Sequence, residues 1–95
     1  MYDWQDRDGQ GKILKILHKL TENGFNAKLS YGPATFVSLY NDKGDYICYA
    51  WASNWCNLGF IRVSRWCEEI GTTFSPDEAY NMMVRYFEEK GGWFS

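Results

Sequence analysis

The sequence predicts an α+β fold: a two-layer sandwich of one helix, an antiparallel sheet of three or four strands, and a closing helix. Three observations predict it. Residues 35–40 and 45–52 are rich in β-branched and aromatic side chains on both sides of Asn41-Asp42-Lys43-Gly44, a strong short-range hairpin signal. Ile13, Ile16, Leu17 and Leu20 recur at intervals of three and four, the spacing of a one-sided helix. Ser75-Pro76-Asp77-Glu78 precedes Tyr80, Met83, Val84 and Phe87, so a well-capped helix start leads into a second apolar stripe.

Taken in order, residues 1–9 are polar and form a loose N-terminal segment that Tyr2 and Trp4 could pin down. Asp8 is a plausible cap for a helix over 10–23, which Asn23-Gly24 stops. Lys12, Lys15 and Lys19 share a second face of it. A first strand covers 25–31, with Ala27, Leu29 and Tyr31 alternating against Lys28 and Ser30, and Gly32-Pro33 ends it. In the hairpin, a left-handed Gly44 sets Tyr40 opposite Tyr46, Leu39 opposite Ile47, Ser38 opposite Cys48 and Val37 opposite Tyr49. That register puts Val37, Leu39, Ile47, Tyr49 and Trp51 on the side covered by the helices. Phe36, Ser38, Tyr40, Tyr46 and Cys48 lie on the other. Residues 53–57 read as a loop, 58–64 as a fourth strand, and 65–70 as one short helical turn stopped by Gly71. The last helix ends near Lys90 at Gly91-Gly92, and Trp93-Phe94 follows as an aromatic tail.

The 95 residues fit one domain. Hydrophobic residues at 45% and charged residues at 23% are ordinary globular proportions and exclude a disordered chain. The aromatic share, 19%, exceeds what so small a core holds, so some rings must lie at the surface, where interfaces use them. A net charge of -2 argues against a general nucleic-acid binder. The charge is also uneven, with lysines over 12–28 and carboxylates over 65–95, which predicts a basic and an acidic pole. Three cysteines without a secretory signal fit a reducing, cytoplasmic setting, and no apolar run reaches membrane-spanning length.

No catalytic pattern emerges. Cys48, Cys56, Cys67 and the lone His18 lack the paired spacing of a zinc site and read as buried thiols and a surface histidine. Glu68-Glu69 and Glu88-Glu89 are adjacent in sequence, so neither pair shares a helix face. The glycines of residues 8–12 lack the spacing of a phosphate-binding loop. No enzyme, metal or cofactor is expected. The open sheet face, with Lys28, Phe36, Tyr40, Tyr46, Phe60 and Arg62, admits three readings: cross-strand pairing, a protein-binding patch, or a platform for nucleobases. The carboxylates of the last helix read as a solvated face, or as a surface that fits a groove made for nucleic acid.

The α-β-β-β-α order resembles the double-stranded RNA-binding domain in layout. That family places lysines at the start of its last helix, where this chain has Ser75-Pro76-Asp77-Glu78, which would repel phosphate. Gly24-Phe25, Ala27-Lys28-Leu29-Ser30, the Asn41-Asp42-Lys43-Gly44 turn and the acidic helix from Asp77 also resemble small phage-encoded anti-defence proteins of the anti-CRISPR type. That resemblance implies a non-enzymatic inhibitor that blocks a host nuclease or ribonucleoprotein complex by protein contact. The expected contact residues are Tyr40, Tyr46, Phe60, Arg62, Glu68, Glu69, Glu88 and Glu89. The alternative is a single-stranded nucleic-acid-binding module on the aromatic and basic face.

Overall fold

A computed structural model describes residues 9–32, 34–53 and 60–90. The elements are α1 (Gly9–Glu22), β1 (Asn26–Tyr31), β2 (Ala34–Tyr40), β3 (Tyr46–Ser53), β4 (Ile61–Arg65), β5 (Glu68–Thr73) and α2 (Pro76–Glu89). Gly9 already opens α1. The expectations for Tyr2, Trp4 and Asp8, for Trp55-Cys56, for a β4 start at Leu58 and for Trp93-Phe94 lie outside the described residues.

Among the described residues the fold is α+β, with two helices and one antiparallel sheet in the order β1-β2-β3-β4-β5. The sheet has five strands, not three or four. The additional one is β5, where a helical turn was expected. Arg65 and Glu68 pair across a two-residue turn at Trp66 and Cys67, and β4 continues directly into β5. Ile70, Thr72 and Thr73 carry the β-branched chemistry that favours a strand there.

Both helices lie on one face of the sheet, α1 over β1, β2 and β3, α2 over β3, β4 and β5. Ile13, Ile16 and Leu20 of α1 and Ala79, Met83 and Phe87 of α2 are fully buried against Val37, Leu39, Cys48, Ala50, Ala52, Ile61 and Val63. Phe25, in the α1–β1 connection, presents an edge to Phe87 at 5.3 Å and Tyr80 at 6.4 Å between ring centroids. Lys12 is not on a wet face with Lys15 and Lys19 but buried, its Nζ 5.7 Å from the Phe74 ring centre. Lys19 meets Asp77 of α2 at 2.9 Å, an exposed pair worth under about 1 kcal/mol.

The caps follow the sequence, with one change. The backbone N–H of Glu78 donates to Ser75 Oγ at 3.3 Å, as a capping serine requires. The Glu78 carboxylate does not reach back to the cap directly. It accepts from Thr73 Oγ1 at 2.8 Å, and Thr73 Oγ1 accepts the Ser75 N–H at 3.1 Å, so a threonine hydroxyl completes the circuit. At the end of α1, Gly24 takes φ +84° and the Phe25 N–H donates to the Leu20 carbonyl at 2.9 Å.

The β2–β3 hairpin decides which side chains face the helices. Gly44 has φ +86°, and Asn41 Oδ1 accepts from the N–H groups of Lys43 and Asp45, both at 2.9 Å. Tyr40 pairs with Tyr46 as expected. Leu39 then pairs with Cys48, not Ile47, because Ile47 is the extra residue of a β-bulge. Every later residue of β3 changes face: Ser38 pairs with Tyr49 and Val37 with Ala50. Cys48, Ala50 and Ala52 point at the helices, whereas Tyr49 and Trp51, expected in the core, lie on the open side.

Candidate binding face

The bulge at Ile47 concentrates rings on the side of the sheet away from the helices. Phe36 and Tyr40 come from β2, Tyr46, Tyr49 and Trp51 from β3, and Trp66 from the β4–β5 turn. They form one connected group. Phe36 is 5.7 Å from Tyr49 and 6.3 Å from Trp51. Tyr46 is 6.3 Å from Tyr40, 6.4 Å from Tyr49 and 5.0 Å from Trp66. Such spacings are those of favourable aromatic pairs. The five strand rings are half-buried by one another, while Trp66 is 72% exposed. Between them runs an open groove of about 470 Å³, lined by Ser30, Phe36, Ser38, Tyr40, Tyr46, Tyr49 and Trp66.

Each cation of the face sits over a ring. Lys28 Nζ is 5.2 Å from the centre of Tyr40, Arg62 Cζ 5.6 Å from Trp51, and Arg65 Cζ 5.9 Å from Tyr46. Carboxylates border the face rather than enter it. Asp42 and Asp45 lie in the hairpin turn at one end, and Glu68 and Glu69 on β5 at the outer edge, where Glu69 accepts from Thr72 Oγ1 at 2.9 Å. The result is an aromatic centre with a rim of both signs.

Two features of the face are costly. Trp66 has φ +53°, a left-handed conformation that costs a residue with a Cβ about 1–2 kcal/mol. The Tyr46 hydroxyl is buried and, among the described residues, makes no well-formed hydrogen bond, which costs up to about 1–3 kcal/mol. Burial pushes its pKa from 10.0 to about 12; the nearby Trp66 backbone N–H opposes that shift but lies outside hydrogen-bonding geometry. On the helix side of the same strand, burial pushes the Cys48 thiol from 9.0 to about 12, so it stays protonated and inert.

The eight residues expected to make contact do not form one surface. Tyr40 and Tyr46 are neighbours, and Arg62 joins them through Trp51. Phe60 does not: it stacks on Phe74 at 4.3 Å, near Lys12 of α1, and is absent from the groove. Glu68 and Glu69 stand at the edge strand. Glu88 and Glu89 are exposed at the end of α2, in the other layer. Glu89 lines a separate hollow of about 370 Å³ with Ile70, Met82, Arg85 and Tyr86. The expected list lacks Tyr49, Trp51, Arg65 and Trp66. Tyr49 and Trp51 lie on the face opposite to the expected one, and Arg65 and Trp66 stand at a strand end and in a hairpin turn rather than in a helical turn. Their signal was Thr72-Thr73, which marks a strand after a tight turn.

Among the described residues, no three His, Cys, Asp or Glu side chains are grouped to hold a metal ion, and no helix is long and apolar enough to cross a membrane. Comparison with protein-family models, curated proteins and solved structures finds no match, so a functional reading rests on the chemistry of this face.

Proposed function

We propose that the protein acts by contact, without catalysis, and that its partner is another protein engaged by the open sheet face. One observation carries this reading: a sheet face with no helix over it among the described residues, which gathers Trp51, Trp66, Tyr40, Tyr46, Tyr49, Arg62 and Arg65. Trp, Tyr and Arg are the residues that dominate protein–protein binding energy, above all at the centre of a patch with a polar rim. The rim has both signs, and the whole chain carries -2. A polyanion is held best by a surface of one sign, so the rim favours a protein over a nucleic acid. The resemblance to anti-defence inhibitors suggests the partner's class, a nuclease complex whose working surface is covered.

The test uses the intact protein as bait in extract of its native host, beside Trp51→Ala and a Glu88→Lys/Glu89→Lys double variant. The expected result is a defined partner retained by the wild type and by the double variant and lost by Trp51→Ala. Retention by Trp51→Ala with loss in the double variant moves the site to the acidic end of α2. A salt-sensitive shift of a single-stranded oligonucleotide that needs the same rings replaces the protein partner with a nucleic acid.

A further inference from the structure

The groove beside Trp66 is specific enough in its chemistry to name what the partner places there. We infer that it takes a proline-rich segment in the polyproline II conformation, an inference that rests on the sheet face being the binding surface. The walls are flat rings. The polar atoms are the hydroxyls of Ser30, Ser38, Tyr40 and Tyr49 and the indole N–H of Trp66, and among the described residues no side-chain hydrogen bond ties any of them. Among the described residues no carboxylate or side-chain amide lines the groove. The lining therefore holds one group that can only donate, the Trp66 indole N–H, beside hydroxyls that donate or accept, and neither a charge nor an amide.

A ligand pressed into such a groove must bring flat apolar surface and an acceptor for the indole N–H, and it loses least where it has few N–H groups of its own to satisfy. Proline meets these conditions. It has no backbone N–H, its ring packs on aromatic faces, and in polyproline II the carbonyls project outward unpaired. Aromatic-lined grooves with hydroxyl and indole donors are a recurring receptor for such segments, because the ligand is already extended and loses little entropy on binding. Trp66 lines the groove, stands 72% exposed and is itself the left-handed residue of the turn, so its ring is presented to a docked segment.

The experiment titrates the full chain with acetyl-decaproline-amide, with a Gly/Ser peptide of equal length and with single-stranded dT10, following tryptophan fluorescence and, on labelled protein, amide shifts. Saturable binding of decaproline alone is expected, with shifts centred on β2, β3 and the β4–β5 turn. Trp66→Gly, which suits φ +53° and so keeps the fold, should weaken it at least tenfold, and Glu88→Lys should leave it unchanged. No saturation by decaproline, equal binding of the Gly/Ser peptide, preference for dT10, or undiminished binding by Trp66→Gly would each overturn the inference. If decaproline fails while the Trp51→Ala bait still loses its partner, the proline inference falls alone. If that bait keeps its partner, the reading beneath it falls as well.

Discussion

The two faces of the sheet are built from the same strands and differ in almost every property. Under the helices, β3 offers Cys48, Ala50 and Ala52, all essentially inaccessible to solvent. On the other side, the same strand offers Tyr46, Tyr49 and Trp51, each half-exposed. A hydrophobicity ranking would place the rings inside and the small residues outside. The molecule does the reverse, because the helix layer sits close to the sheet. Gly71 of β5 shows how close: a Cβ built there would lie 2.7 Å from Met82 Sδ of α2. Small residues on the strand let Ile13, Ile16, Met83 and Phe87 supply the bulk from the helices. What the comparison teaches is a division of labour in which the covered face holds the fold and the open face holds the contact chemistry.

The largest expected effect breaks the covered face. Phe87 is 1% exposed and meets Phe25 edge-on. Phe87→Ala should cost about 3–5 kcal/mol, read as a fall in the urea midpoint. Trp51→Ala, a larger truncation on the open face, should cost less than that, because its ring is only partly covered and its loss leaves no enclosed cavity. Equal losses would show that both faces carry the fold.

The second effect separates the faces by pH. Cys48 under the helices and Tyr46 on the open face both have raised pKa values, about 12 against 9.0 and 10.0. A group whose folded pKa is raised keeps its proton in the native state after the unfolded chain has lost it. Stability is therefore full below pH 9 and falls as pH rises toward 12, by up to about 1.4 kcal/mol per unit for the enclosed Cys48 and by a fraction of that for Tyr46, whose surroundings solvent screens. Cys48→Ala should remove the part of the decline that begins near pH 9, and Tyr46→Phe the part that begins near pH 10. A urea midpoint flat from pH 8 to 11 in the wild type would contradict the burial of both groups.

Much of this architecture is legible in the residues because local chemistry dictates it. Ser75-Pro76 starts α2, Gly24 ends α1, and Asn41 with Gly44 folds the hairpin, each through its own side chain or its own φ. Tyr40 opposite Tyr46 follows from that turn. The face of Tyr49 and Trp51 does not, since the bulge at Ile47 is decided by what fits beneath helices that lie far away in sequence. The second bulge, at Ile70, has the same origin near Gly71 and Met82. Glu68-Glu69 reads as helical locally, and only pairing with Ser64 and Arg65 makes it a strand. The candidate site inherited these errors, because a face is a non-local property.

A third and smaller effect measures the spacing between layers. Gly71→Ala places its methyl against Met82 Sδ, the flexible part of a thioether that can turn aside. The cost should be about 1 kcal/mol by urea unfolding, and it should shrink in the Gly71→Ala/Met82→Ala double variant, where the obstacle is gone. Simple additivity of the two substitutions would mean that the layers do not meet there.

The smallest expected effect on stability bears most on function. Trp66→Gly relieves a left-handed tryptophan, worth about 1–2 kcal/mol. Against this stand the entropy of a new glycine, about 0.5–1 kcal/mol, and the lost edge contact with Tyr46, about 0.5–1.5 kcal/mol. The terms nearly cancel, so the urea midpoint should move by the equivalent of under about 0.5 kcal/mol. A residue whose net contribution to the fold is near zero, which stands 72% exposed in a strained turn, fits the proposed role in contact outside the chain. A loss of 2 kcal/mol or more would show instead that Trp66 fastens the β4–β5 hairpin onto Tyr46. The open face would then be a second stabilising surface, and the contrast with the covered face would fail.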